Sequence, residues 1–183
     1  MQRLAPVDAA NLSEDQKHVY DKIADGPRGG VRGPFAVLLH SPGVADPVQA
    51  LGAHLRYGGV LPGRLRELAI LTTARHWSAR YEWYAHAPIA AKEGLEPAII
   101  EAIAERRTPE FSAPDEATVY GFCREVLDKG RAGDETYAKV VELFGTEGVV
   151  ELVAVAGYYS LLSMALNTFD VEPPGDPGVF ERF

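Results

Sequence analysis

The stretch "RLRELAILTTARHWSARYEWYAHAPIAAKEGL", Arg64 to Leu95, decides the fold class. In its first half Leu65, Leu68, Ala69, Leu71 and Thr72, with Leu61 just upstream, mark one apolar face at helical spacing. The β-branched Ile70, Thr72 and Thr73 do not overturn that period. In the second half Ser78 reads as an N-cap and Gly94 as the residue just past a helix end. Pro88 falls inside this second helix, so either the helix kinks there or a fresh turn begins.

The rest of the chain reads the same way on both sides of that pair. Upstream, "LSEDQKHVYDKIADG" starts at the cap candidate Ser13 and stops at Gly26, a helix over 13–25. "GPRGGVRGPF" is a loop, "PFAVLLHSPG" a short apolar run ending at His40, and "VADPVQALGAHLRYGG" a helix closed by Gly58 and Gly59. Downstream come "EPAIIEAIAER", "DEATVYGFCREVLDKG", "DETYAKVVELFG" and "TEGVVELVAVAGYYSLLSMALNTF", the last three opening on Asp or Thr cap candidates. No run alternates with period two long enough for a strand. The expectation is one all-α domain over 1–183, a bundle of about seven or eight helices. Its core is expected over about 34–170, with a Pro-rich tail over 171–183.

The 183 residues carry a formal net charge of −8, which disfavours nucleic acid and anionic membranes as partners but leaves room for a small anion held by a local arginine. Cys123 is the single cysteine, so no intrachain disulfide forms and a cytoplasmic location is expected. The N-terminus has no apolar run of signal-peptide type. Leu152 to Phe169 carries no charge and approaches membrane-spanning length, but Gly157, two serines, two tyrosines and Asn167 interrupt it. It reads as a buried helix, apolar nearly all round, covered by its own core or by a second subunit. A homo-oligomer is therefore expected.

Within "YEWYAHA", Glu82 and His86 stand four residues apart, with Cβ atoms about 6 Å from each other on one helix face. Three readings follow: a solvated ion pair, two metal ligands joined by others, or an acid and a base facing a substrate. The aromatic and small surroundings favour the third, because a carboxylate beside an imidazole in an apolar setting fixes its tautomer. None of the other histidines, His18, His40, His54 and His76, completes a metal-ligand spacing, so no metal is assigned. His40 is a candidate pocket-lining group at the end of an apolar run, or a histidine satisfied by a backbone carbonyl; His54 and His76 read as structural or exposed. Glu67 either complements its helix dipole or joins the pair. Arg75 and Arg80, flanking the turn between the two helices, are candidates to clamp an anionic substrate, or surface charges. Trp83 and Tyr84, beside the pair, are candidate substrate contacts. Cys123, in "YGFCREV", reads as a core residue.

The Arg64–Leu95 stretch resembles the carboxymuconolactone decarboxylase family, which is related to the alkylhydroperoxidase D (AhpD) disulfide reductases; the resemblance extends more loosely over about three quarters of the chain. The peroxidase branch carries a Glu, a Cys-x-x-Cys pair and a His four residues later. These positions fall on Glu67, Ala79, Glu82 and His86, so both thiols are absent and the disulfide chemistry is closed to this site. The resemblance then implies the decarboxylase-type branch: an all-α AhpD-like bundle, trimers or hexamers, and a small anionic lactone or keto-acid-type substrate. Loss of CO₂ from such a lactone leaves an oxyfuran-like dienolate, so the lactone is its own electron sink and no cofactor is implied. The enzyme must anchor an anion, stabilise an oxyanion and deliver a proton. His86 is the expected proton donor or oxyanion partner, Glu82 its orienting carboxylate, Glu67 a relay, and His40 and Arg75 oxyanion or carboxylate contacts. The competing expectations are an AhpD-like antioxidant protein and a non-catalytic oligomeric binding protein of the same fold.

Overall fold

A computed structural model describes residues 2–175 and Phe180. Among the described residues the chain forms eight helices and no strand: α1 (Glu14–Ala24), α2 (Pro34–Leu38), α3 (Pro42–Tyr57), α4 (Gly63–His76), α5 (Arg80–Lys92), α6 (Pro97–Ala104), α7 (Pro114–Lys129) and α8 (Asp134–Thr168). Residues 176–179 and 181–183 of the expected Pro-rich tail lie outside the described residues; 171–175 form no helix or strand.

Local chemistry sets most boundaries. Ser13 and Gln16 form a reciprocal capping box at the start of α1. α2, α3, α6 and α7 open on Pro34, Pro42, Pro97 and Pro114, where the missing N–H is one the helix would leave unpaired anyway. Gly130 closes α7 in the left-handed conformation. Gly145 (φ 67°, ψ −176°) breaks α8 internally, at the boundary expected between the last two helices.

Expectations at three helix starts change, one of them at α8, where Gly133 rather than Asp134 holds the N-cap position. Ser78 does not cap α5: Ala79 holds the N-cap position, and Ser78 itself sits at φ 48° in the tight turn from α4. Asp115 does not cap α7, because Ala113 does and the helix starts at Pro114. Pro88 leaves α5 continuous from Arg80 to Lys92.

α4 is the central element, packed by α5, α6, α7 and α8. Buried side chains run without interruption from Glu67 to Ala74, so the single apolar face expected from the sequence widens to the full circumference. Of its polar members Thr72 and Thr73 are satisfied within the helix, donating their hydroxyls to the carbonyls of Leu68 and Ala69, whereas Glu67 finds its partner outside it. α8 is long and apolar enough to cross a membrane by length and composition, yet Leu152, Val155, Tyr159, Leu162 and Leu166 pack into the core that α4 and α7 share. A smaller cluster of Val19, Ile23, Phe35, Leu39 and Ala45 joins α1 to α2 and α3. The loop between α1 and α2 lies against the start of α5, where Gly33 meets Tyr81, and against the second half of α8, where Arg28 meets Tyr158.

Candidate active site

Glu67 lies in the second turn of α4 and does not serve the helix N-terminus. It is 1 % exposed and faces α5, where His86 is 4 % exposed and Glu82 3 %. His86 Nδ1 lies 2.7 Å from Glu67 Oε2, a hydrogen bond in which the ring N–H donates to the carboxylate. That assignment leaves the Nε2 lone pair pointing away from α4. Glu82 Oε2 stands 3.6 Å from Nε2, beyond hydrogen-bond reach. The two carboxylates therefore take opposite edges of one imidazole, and Glu67, not Glu82, fixes its orientation. Tyr159 presses edge-on against the ring at 5.0 Å, and Tyr158 packs edge-on against Tyr159 at 5.1 Å.

Burial raises the Glu82 carboxyl above its usual value, against the opposing pull of His86, Arg56 and Arg28; Glu67 adds to the rise. Burial also holds Tyr158 up to about 12 and Tyr159 well above the ordinary phenol value, so both hydroxyls keep their protons.

His86 and Glu82 open onto a cavity of about 570 Å³. Its floor is Tyr159 and Leu162 of α8, and its walls include Phe35 of α2, Tyr81 and Tyr84 of α5, and Arg56 and Tyr57 from the last turn of α3. The α1–α2 loop covers it with Arg28 and Arg32. Arg28 lies over the Phe35 ring at 4.5 Å and donates to the Tyr158 hydroxyl at 3.2 Å, while its buried Nε has no partner among the described residues. Arg32 donates to the Arg28 carbonyl at 2.8 Å. Two glycines make room for this wall. A side chain at Gly52 would strike Tyr158 and Arg28, and one at Gly33, which sits at φ 58°, would strike the Tyr81 ring.

Of the expected substrate contacts, Tyr84 lines the cavity. Among the described residues lining it, His40, Arg75, Arg80 and Trp83 are absent. His40 Nε2 is 2.8 Å from the Ala5 carbonyl, the alternative that its sequence context offered. Arg75 donates to the Ala104 carbonyl and the Ser78 hydroxyl. Arg80 faces Glu172 at 3.6 Å. Trp83 follows Glu82 by one residue, about 100° round the helix, and joins a separate apolar groove with Ala87, Ala91 and Ile100. Sequence reasoning missed the three cavity arginines. The only available signal was two arginines set among four glycines in "GPRGGVRGPF", a loop with little apolar content.

No cluster of three or more His, Cys, Asp or Glu side chains among the described residues has metal-holding geometry. Cys123, on α7, is fully buried away from the cavity, and burial pushes its thiol up to about 12.

No family model and no curated protein matches this chain. Solved structures do. An AhpD-core, peroxidase-related protein from Ralstonia eutropha JMP134 superposes with a TM-score of 0.76 at 20 % identity, over 94 % of this chain and 92 % of that one. A peroxidase-related protein from Silicibacter sp. TM1040 gives 0.72 at 13 % identity, over 97 % and 93 %. The debrominase Bmp8 gives 0.70 at 14 % identity, over 91 % and 89 %. The chain has the AhpD-like helical fold, and proteins of that fold include enzymes.

Proposed function

We propose that this chain is a cofactor-independent acid–base enzyme, a decarboxylase or isomerase of a small lactone or keto-acid-type carboxylate, resembling 4-carboxymuconolactone decarboxylase. One observation carries the reading: a Glu67–His86–Glu82 chain ends in a cavity walled by Arg28, Arg32 and Arg56, none of which has a carboxylate within 4.0 Å among the described residues. Guanidinium groups with no carboxylate in ion-pair contact, beside a carboxyl whose hold on its proton burial strengthens, suit an anionic guest that needs a proton. Bmp8, in a Cys-to-Ala variant, holds 2,3,4-tribromopyrrole. A fold that takes a small planar ring in that protein is compatible with a lactone here.

In the proposed reaction the arginines hold the substrate carboxylates. The bond from the ring carbon to the departing carboxylate breaks, CO₂ leaves, and the electron pair passes into the unsaturated ring and onto the lactone oxygen. Neutral Glu82 gives its proton to carbon. His86, held through Nδ1 by Glu67, takes a proton from solvent at Nε2 and passes it to the Glu82 carboxylate when the 3.6 Å gap between them closes. Glu82 thus takes the donor role that the sequence gave to His86, and Glu67 takes the orienting role. A peroxidase of thiol type is less well served, since the one cysteine is sealed in the core with its thiol protonated.

The same reading includes self-association in the cytoplasm. Val150, Val153, Leu161 and Met164 form an exposed apolar stripe along α8, 37–64 % accessible, that a second copy of this chain would cover. The test is turnover of γ-carboxymuconolactone and a set of β-keto acids, followed by CO₂ release. Wild-type turnover of one or more, cut at least about 10²-fold in Glu82→Gln and in His86→Ala, is expected. No release from any of them overturns the decarboxylase assignment.

A further inference from the structure

A second polar cluster lies outside the cavity, where the α4–α5 turn meets the end of α6. Ser78 is 6 % exposed, and its hydroxyl oxygen accepts two hydrogen bonds, from Arg75 Nη1 at 3.0 Å and from Arg106 Nη2 at 2.8 Å. Two guanidinium groups thus converge on one neutral oxygen. Neither has a carboxylate within 4.0 Å among the described residues. Asp128, which faces the neighbouring His76 at 3.5 Å, is taken by Arg124 at 2.8 Å, and Glu105, next to Arg106 in the chain, is taken by Arg107 at 2.6 Å. With its oxygen occupied twice as acceptor, the Ser78 O–H still has a proton to donate, and no acceptor for it appears among the described hydrogen bonds.

The backbone here is also unusual. Ser78 (φ 48°) and Arg106 (φ 59°) are two of only three non-glycine residues with positive φ among the described residues. Each such conformation costs on the order of 1 kcal/mol and persists where surrounding contacts hold it. Arg75 is fixed further: Nε donates to the Ala104 carbonyl at 2.7 Å, and the guanidinium stacks on Phe180 at 4.3 Å. Desolvation and the like charge of Arg106 pull Arg75 below its ordinary value, the sign of a cation short of a partner.

We infer that Arg75, Arg106 and Ser78 form a binding site for a phosphoryl oxyanion, separate from the cavity. Two guanidinium groups and one hydroxyl gathered at one oxygen keep more unused N–H and O–H donors than the two oxygens of a planar carboxylate can take up, a number that suits the several oxygens of a tetrahedral dianion. A free phosphate and a small phosphate monoester share this chemistry. Ser78 immediately precedes the cap of α5, four residues from Glu82.

The test is a ¹⁵N NMR titration of the full chain with inorganic phosphate, and in parallel with glycerol phosphate and acetate, following the Ser78 amide and the indole N–H of Trp77. The same titrations are run on Arg106→Ala, an exposed position whose variant is checked for its fold by circular dichroism, and on Arg28→Ala/Arg56→Ala, which removes two of the three cavity arginines. Saturable shifts at Ser78 with either phosphate, weakened at least tenfold by Arg106→Ala and kept in the cavity variant, are expected. The proposal is overturned if Ser78 does not respond to phosphate, if Arg106→Ala binds as tightly as wild type, if the cavity variant abolishes the response, or if acetate binds equally well. Glycerol phosphate binding as tightly as phosphate assigns the site to esters, and phosphate binding alone assigns it to the free ion.

Discussion

Two of the imidazole–carboxylate pairs among the described residues, His54–Glu151 and His86–Glu67, differ in almost everything except their chemistry. His54 on α3 meets Glu151 of α8 at 3.2 Å with its ring side chain 55 % exposed, and the other Glu151 oxygen accepts the Val60 N–H at 2.7 Å. His86 meets Glu67 at 2.7 Å with its side chain 5 % exposed, and a second carboxylate waits across the ring. In the first pair the carboxylate anchors the chain after α3, and the imidazole adds a solvated contact. In the second, low local dielectric strengthens the hydrogen bond and makes a lost partner costly. Exposure and the free ring edge, rather than the presence of a histidine and an acid, separate a structural tie from a site able to move protons.

The largest expected contrast is in turnover. His86→Ala is expected to lower kcat by at least about 10²-fold, whereas His54→Ala leaves it within about twofold. Steady-state kinetics of the two variants side by side decides this, and similar losses in both would erase the distinction between the pairs. Next in size is anion affinity. Arg28→Ala is expected to raise KM for a carboxylate substrate about tenfold or more, since a charge-assisted hydrogen bond is worth roughly 1.5–3 kcal/mol. Raised salt should weaken wild-type binding in the same sense.

Stability gives a third contrast. Glu67→Ala strands the buried Nδ1–H of His86 and is expected to cost about 1–3 kcal/mol in denaturant unfolding. Glu151→Ala leaves His54 to water and exposes the Val60 N–H, with a smaller loss expected. An equal loss in both would mean that burial is not what separates them.

The smallest expected effect is a pH trend. Burial raises Glu82 above its ordinary 4.5, so the folded chain holds this proton more tightly than the unfolded chain does. Its contribution to stability is fully present below about 4.5 and falls as pH climbs toward the folded-state value. Glu82→Gln has no such proton to lose and is expected to gain in Tm relative to wild type as pH rises from about 4 to 7. A constant or falling difference would show Glu82 ionised in the fold.

How much of this was legible in the letters follows from range. The helices, and the shared face of Glu82 and His86, depend on residues within one or two turns of each other, where periodicity and caps speak directly. Glu67 was visible as an acid in an apolar stripe, although its alternative as a helix-dipole partner stood beside it. The arginine wall was not visible. Arg28 reaches Tyr158 across 130 residues, and nothing local tells a loop arginine which helix it will cover. Trp83 was misplaced for a rotational reason, since a one-residue step turns a side chain by about 100°, enough to move it from the cavity into a separate groove. Ser78 has the composition of a cap, but the tight α4–α5 turn forces it to positive φ and hands the cap position to Ala79.

The most direct test of the central claim follows the ring nitrogens of both histidines by ¹⁵N NMR while 2-furoate, a planar five-membered ring bearing a carboxylate, is added. The expected result is a saturable shift of His86 Nε2, with His86 Nδ1 remaining protonated on Glu67 and His54 unmoved. A His86 ring that ignores the ligand, or carries its proton on Nε2 with Nδ1 bare, would contradict the account.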